Sequence, residues 1–180
     1  LATAVALIFA SGCMTGQAIG EHPEWRKLIA QPADRGLSAE LVRFPSTDGL
    51  TLSAWWITAS RDPRADVVLA HGQGGNRSYM LGRAAFLVEA GYNVLAMDLR
   101  AHGDSDGRYM TTGYKEADDV LAAIEYVDAA KHERPIVLFG YSYGAVAVLH
   151  AASRSNELAA VIADAPFLSP HPHRGRRSAP

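Results

Sequence analysis

From residue 66 onward, short uninterrupted apolar runs alternate with stretches of helical spacing. Val67-Val68-Leu69-Ala70 has no polar break, the pattern of a strand covered on both faces. Residues 77–89 follow, with Met80, Ala84, Leu87 and Val88 on one side and Gly91 just beyond, which predicts an amphipathic helix and its stop. Residues 93–97 repeat the buried-strand pattern. Residues 115–130 align Val120, Ile124 and Val127 in a stripe and carry acids in the first turn, where the helix dipole favours them. Residues 135–140 predict a third strand, 143–153 a helix of small residues and 159–163 a fourth strand. Strands and helices in this alternation predict an α/β protein: a mostly parallel sheet, helices on both faces, right-handed crossovers.

The chain before residue 66 reads differently. Residues 41–45 and 50–58 alternate in period two around Thr47-Asp48-Gly49, so a β-hairpin is expected to lead the sheet. Residues 14–40 have no period and contain Gly20, Pro23, Pro32 and Gly36; they are expected to be a linker with one short helix near residues 25–30. At the other end, residues 169–180 read SPHPHRGRRSAP, an irregular tail that cannot complete a core. The α/β core is therefore assigned to residues 41–168.

With 180 residues, 48% hydrophobic and 20% charged, the chain has the bulk properties of one globular domain and not of a disordered segment. A formal net charge of -2 gives no reason to expect a nucleic-acid partner, and Arg174, Arg176 and Arg177 read as a solvated tail. Cys13 is the single cysteine, so no internal disulfide can form. It follows LATAVALIFASG, an uncharged apolar run too short to span a bilayer and of the length of a signal-peptide h-region. Residues 1–13 resemble a bacterial lipobox segment, with Ala10 where Leu is usual. That resemblance implies lipidation at Cys13, a membrane anchor and the bacterial cell envelope. The alternative is a cysteine packed at the start of a core element in a cytoplasmic protein.

The chemistry concentrates in three motifs. Gly140-Tyr141-Ser142-Tyr143-Gly144 follows the apolar run Ile136-Val137-Leu138-Phe139 and precedes the small-residue helix. A serine on such a tight strand-to-helix turn projects its hydroxyl above the sheet, beside free helix N–H groups, and the flanking glycines remove side chains that would clash. His71-Gly72-Gln73-Gly74-Gly75-Asn76 is a glycine-rich loop whose backbone can approach a substrate oxygen. The third motif is Asp98-Leu99-Arg100-Ala101-His102-Gly103-Asp104-Ser105-Asp106-Gly107. Its acid spacing is not a calcium loop, because the remaining ligands are missing; a loop bracing the site floor is favoured.

In this order, over residues 41–167, the motifs resemble the α/β-hydrolase family, and within it the serine aminopeptidase-like and monoacylglycerol-lipase-like branch. The resemblance implies a serine hydrolase acting on an ester, thioester or peptide bond of a small-molecule or peptide substrate. Ser142 would be the nucleophile, with the N–H groups of Gln73 and Tyr143 as the oxyanion hole. His71 would be a structural histidine ordering the loop, and neither cofactor nor metal is implied. Ala101 stands where the family has glycine. Chain order in the fold is serine, acid, histidine, and only 38 residues follow Ser142. Asp164 is a candidate acid. His150, His171 and His173 do not lie where a base is expected, so the base is unassigned. The chain is accordingly expected to be truncated or frame-shifted near residue 168 and to have little activity as it stands. The alternative is a non-catalytic α/β-hydrolase-like envelope lipoprotein or binding protein.

Overall fold

The computed structural model describes residues 19–20, 22–131, 134–156 and 158–167. Cys13, His171 and His173 lie outside the described residues. The strands are β1 (Ile19–Gly20), β2 (Ala39–Pro45), β3 (Thr51–Ile57), β4 (Asp66–Ala70), β5 (Asn93–Met97), β6 (Tyr109–Met110), β7 (Ile136–Tyr141) and β8 (Leu158–Asp164). The α-helices are α1 (Pro23–Arg26), α2 (Leu81–Glu89), α3 (Tyr114–Lys131) and α4 (Tyr143–Ala152). Six strands form one sheet in the order β2-β3-β5-β4-β7-β8. β5, β4, β7 and β8 run parallel, while the hairpin β2–β3 joins antiparallel through β3 and β5. This is the expected sheet led by a hairpin.

The apolar stripes settle on opposite faces. α3 and α4 bury Val120, Ile124, Val127, Ala147 and Val148 against Val68, Leu95 and Leu138. α2 buries Leu81, Ala84 and Leu87 against Val67, Leu69, Val94 and Ala96 on the other face. β3, β4 and β5 contribute buried residues to both clusters, which is why β4 and β5 are apolar after their first residues, Asp66 and Asn93. The expected helix over 77–89 divides in two. Its first turn, Arg77–Met80, is a 3-10 turn capped by the Asn76 side chain, which accepts from the Ser78 N–H at 3.1 Å. Such tighter turns are common at helix starts.

Residues 22–40 of the expected linker pack onto the fold, and the short helix expected near residues 25–30 is α1, Pro23–Arg26. Pro32–Arg35 forms a 3-10 turn with a reciprocal cap between Gln31 and Asp34, and Trp25 packs against the larger core cluster. Lack of period there reflects anchoring by single side chains instead of a repeating face.

Two buried ion clusters brace the loops above the sheet. Arg100 donates from Nη2 to Asp119 Oδ1 at 2.6 Å, from its backbone N–H to Oδ2 at 2.9 Å, and from Nη1 to Asp48 at 2.8 Å. Ser46 Oγ also donates to Asp119, at 3.2 Å. Arg77 pairs with Asp98 and with Asp104. The Asp98 carboxylate further accepts from the Arg77 and Asp104 backbone N–H groups at 2.6 and 2.9 Å, and Asp106 accepts from Thr51 N–H at 2.9 Å. The acids of the third motif are thus tied within the fold as braces. Ala101 sits at φ 62°, the left-handed region, which accounts for the glycine usual at that position.

Removing one partner of a buried pair leaves the other charge uncompensated. Arg100→Met strands Asp119 and is expected to cost about 3–5 kcal/mol. Urea unfolding should show a lower midpoint at an unchanged m-value.

Candidate active site

Ser142 stands alone between the last residue of β7 and the first of α4. Its backbone is at φ 51°, ψ −110°, a conformation rarely adopted by a residue with a side chain. The strain is held by what surrounds it. Ser142 N–H donates to the Asp164 carbonyl at 2.7 Å, and the Ser142 carbonyl accepts from Ala145 N–H at 3.0 Å. A Cβ on Gly140 would collide with the Gly144 carbonyl. One on Gly144 would lie 2.5 Å from the His71 carbonyl oxygen and 2.6 Å from that of Ala70. Both glycines are therefore places where β7, α4 and the end of β4 touch backbone to backbone.

The glycine-rich loop lies against this turn. A Cβ on Gly72 would stand 3.1 Å from the Tyr141 ring and 3.4 Å from Ser142 Cβ. Gly75 N–H donates to Gly72 O at 3.1 Å, closing the loop, and Gly74 takes φ 73°. The backbone N–H groups of Gln73 and Tyr143 have no acceptor among the described residues. Tyr143 is the first residue of α4, so its N–H points out of the helix end. Two free donors beside a strained serine can hold developing negative charge on an oxygen bound there.

His71 is fully buried. Its Nδ1 donates to Gly72 O at 2.8 Å and its Nε2 accepts from Leu99 N–H at 3.1 Å, which fixes one neutral tautomer. Burial holds its pKa down to about 4. His102 repeats the arrangement, with Nδ1 to Arg100 O at 2.8 Å and Nε2 facing Gly74 N–H at 3.4 Å. Burial, and behind it neighbouring His71, lowers its pKa to about 4 as well. Both rings are loop fasteners. His150 lies in the last turn of α4, about 12 Å of helix rise from Ser142. No described histidine bonds to Ser142 Oγ.

Tyr143 buries its ring under the turn. Burial, then the Glu116 carboxylate, pushes its phenol above its ordinary value, so it stays neutral. Glu116 is itself buried and accepts from Thr111 N–H, Thr111 Oγ1 and Gly113 N–H at 2.8, 3.0 and 2.7 Å. Asp164 Oδ2 accepts from Arg83 Nη2 at 2.7 Å, and the Arg83 guanidinium lies 4.5 Å above the Tyr141 ring. A cleft of about 310 Å³ opens over the glycine-rich loop, walled by Gly72, Gln73, Tyr79, Met80, Arg83 and Tyr141, the residue before the serine; Ser142 is not in its wall. Sequence reading gave no site role to Arg83, Glu116 or the residues of α1. Arg83 carries no motif of its own; a lone Trp25 in an aperiodic, proline-bearing stretch was the one visible sign of the last. Among the described residues no group of three or more His, Cys, Asp and Glu side chains could hold a metal ion, and no helix is long and apolar enough to cross a membrane.

A mostly parallel sheet with a strained serine on its strand-to-helix turn defines an α/β hydrolase. The family model of the serine aminopeptidases (S33) matches residues 61–179, and the chain belongs to that family. YfhR of Escherichia coli K12 is 35% identical over 140 residues, covering 73% of this chain and 49% of YfhR. The quorum-quenching protein AidA of Acinetobacter baumannii is 39% identical over 131 residues, covering 70% of this chain and 43% of AidA. The Pyrococcus furiosus esterase Pf2001 superposes with a TM-score of 0.75 at 32% identity, over 83% of this chain and 57% of the esterase. The chain spans about half the length of the curated relatives it matches.

The two buried histidines set an acid limit on the fold. Their folded pKa values, about 4, lie below the ordinary 6.5. The unfolded chain therefore binds more protons between those values, and stability is whole above about pH 6.5 and lost as pH falls toward 4. His102→Gln removes one of these titrations. The stability lost between about pH 7 and pH 5 should shrink by about 2 kcal/mol relative to wild type, read from urea unfolding across that range.

Proposed function

We propose that this chain carries the nucleophile of a serine hydrolase with esterase-type chemistry, and that Ser142 is that nucleophile. The strained turn at Ser142, packed against a loop with a free N–H, carries the reading. Ser142 Oγ attacks the carbonyl carbon of an ester, thioester or peptide substrate as a histidine removes its proton. The carbonyl oxygen becomes an oxyanion held by the N–H groups of Gln73 and Tyr143. The tetrahedral intermediate collapses, the alcohol, thiol or amine leaves with a proton, and water then releases the acyl group from Ser142. Gly72 supplies the close approach that lets the acyl carbon sit between the serine and the loop. Asp164 pairs with Arg83, and that contact braces the turn.

The histidine is not assigned to any described residue, so the 180-residue chain is expected to turn over slowly. With p-nitrophenyl butyrate, residues 14–180 should run close to the Ser142→Ala control. Wherever the base is present, Ser142→Ala should cost about 10⁴ or more in kcat. Turnover that survives Ser142→Ala overturns the assignment, and favours a non-catalytic or differently built site. A wild-type rate far above the control would instead place a base within this chain.

We also propose that Cys13 is lipidated and tethers the protein to a bacterial envelope membrane. The apolar run of residues 1–12 ending in small residues supports it. Palmitate labelling of cells expressing the protein should mark wild type and not Cys13→Ala. Unlabelled wild type overturns the tether.

A further inference from the structure

The segment before the hairpin crosses both loops that frame the serine. Trp25 stacks on His102 with ring centroids 4.8 Å apart and planes 5° from parallel. Its Nε1 would be 3.2 Å from a Cβ on Gly74, so the indole lies directly on the backbone of the glycine-rich loop. The Trp25 carbonyl accepts from Gly103 N–H at 3.0 Å and from Asn76 Nδ2 at 3.2 Å. Asn76 Nδ2 also donates to the Lys27 carbonyl at 2.9 Å, and Ile29 N–H donates to Ser78 Oγ at 3.0 Å. Beside them Arg26 spends its guanidinium on three carbonyls of the acid loop: Gly103 and Ser105 from Nη1 at 3.3 and 2.9 Å, and Gly107 from Nη2 at 2.9 Å. Upstream, β1 pairs antiparallel with β6, matching Ile19 to Met110 and Gly20 to Tyr109.

These contacts have a common target. The loop of residues 72–75 has glycines at three of its four positions and one internal bond, Gly75 N–H to Gly72 O. Glycine-rich backbone loses more freedom on ordering than any other. Something outside the loop must hold it if the Gln73 N–H is to point at a fixed place. His102 supplies part, through Gly74 N–H, but its Nε2 is 3.4 Å away, a long bond. The indole closes the sandwich from above: His102 and Gly74 are both covered by one rigid ring.

We propose that residues 22–31 form a strap that sets the oxyanion loop, with Trp25 and Arg26 as positioning residues for the Gln73 N–H. Its catalytic meaning rests on the hydrolase reading; the ordering of the loop does not. Trp25 fixes the loop through His102 and Gly74, and Arg26 fixes the strap to the neighbouring loop through carbonyls that would otherwise lack strong donors. The strap is the physical link between the chain upstream and the site.

Amide exchange of the 180-residue chain tests this without turnover. In Trp25→Ala, exchange at Gly75 and Gly103 should rise at least tenfold. Exchange at Leu69 and Ala96 in β4 and β5 should rise only by the factor that the lowered urea midpoint accounts for, well short of the rise at Gly75 and Gly103. Trp25→Phe keeps a flat ring over Gly74 and should restore most of the protection, while Arg26→Met should loosen Gly103 as Trp25→Ala does. The same pattern is expected in a Ser142→Ala background, so a failed hydrolase assignment would not mimic a failed strap. Unchanged exchange at Gly75 and Gly103 in Trp25→Ala overturns the proposal. So does a parallel rise at Leu69 and Ala96, which would make Trp25 a core residue only.

Discussion

The rest of the structure hangs on a close approach of backbones at Gly140 and Gly144. At Gly144 there is no room for even a methyl group, because the His71 and Ala70 carbonyls stand where it would go. That contact lets α4 start directly over the end of β4, and it leaves Ser142 no relaxed conformation. A strained residue persists only where its surroundings over-determine it. Here the Asp164 carbonyl, the first turn of α4 and Gly72 each fix Ser142 from a different element. Packing from three elements holds the Ser142 backbone in this one strained conformation.

The second requirement is that flexible loops above a rigid sheet keep their shape. The structure meets it with buried polar groups whose bonding capacity is used on backbone. Asp98, Asp119 and Glu116 each accept backbone N–H groups, and His71 and His102 each donate to a carbonyl. Such groups are costly to desolvate and worth keeping only when their bonds are made. They specify loop geometry more than they add stability. Arg77 and Arg100 belong to the same scheme: Arg77 joins two acids of one loop, Asp98 and Asp104, and Arg100 joins Asp48 and Asp119 from different parts of the chain.

Much of this was legible in the sequence, for a physical reason. Strands covered on both faces must be apolar along their length, so residues 67–70, 94–97 and 136–139 declare themselves. A turn that excludes side chains must be written in glycine, so Gly140 and Gly144 mark Ser142. What failed to show was anything held by single long-range contacts. Residues 22–31 have no period because Trp25, Arg26 and Ile29 each reach a different loop. Arg83 looked like an ordinary helix surface residue, and only the fold brings it over Tyr141 and onto Asp164. Asp164 itself was readable as a strand-end acid; its partner was not.

That partner changes what Asp164 can do. A triad acid must accept from the far nitrogen of an imidazole that faces the serine. Asp164 is joined to Ser142 by its own backbone carbonyl, and its carboxylate is turned toward Arg83 on the rim of the cleft. The pair is about 40% exposed on each side, so its worth in stability is small. Its worth in geometry is larger. Arg83 covers the face of Tyr141, the residue before the serine, and holds the end of β8 against it. β8 is the outer strand of the sheet and leaves Val161 and Ile162 partly open to solvent. The ladder registers Ala163 on Gly140 and Asp164 on Tyr141, and the bond from Ser142 and the ion pair to Arg83 extend that pairing past the last residue of β7. Asp164 therefore fastens the sheet edge to the Ser142 turn, through its carbonyl on one side and its carboxylate on the other.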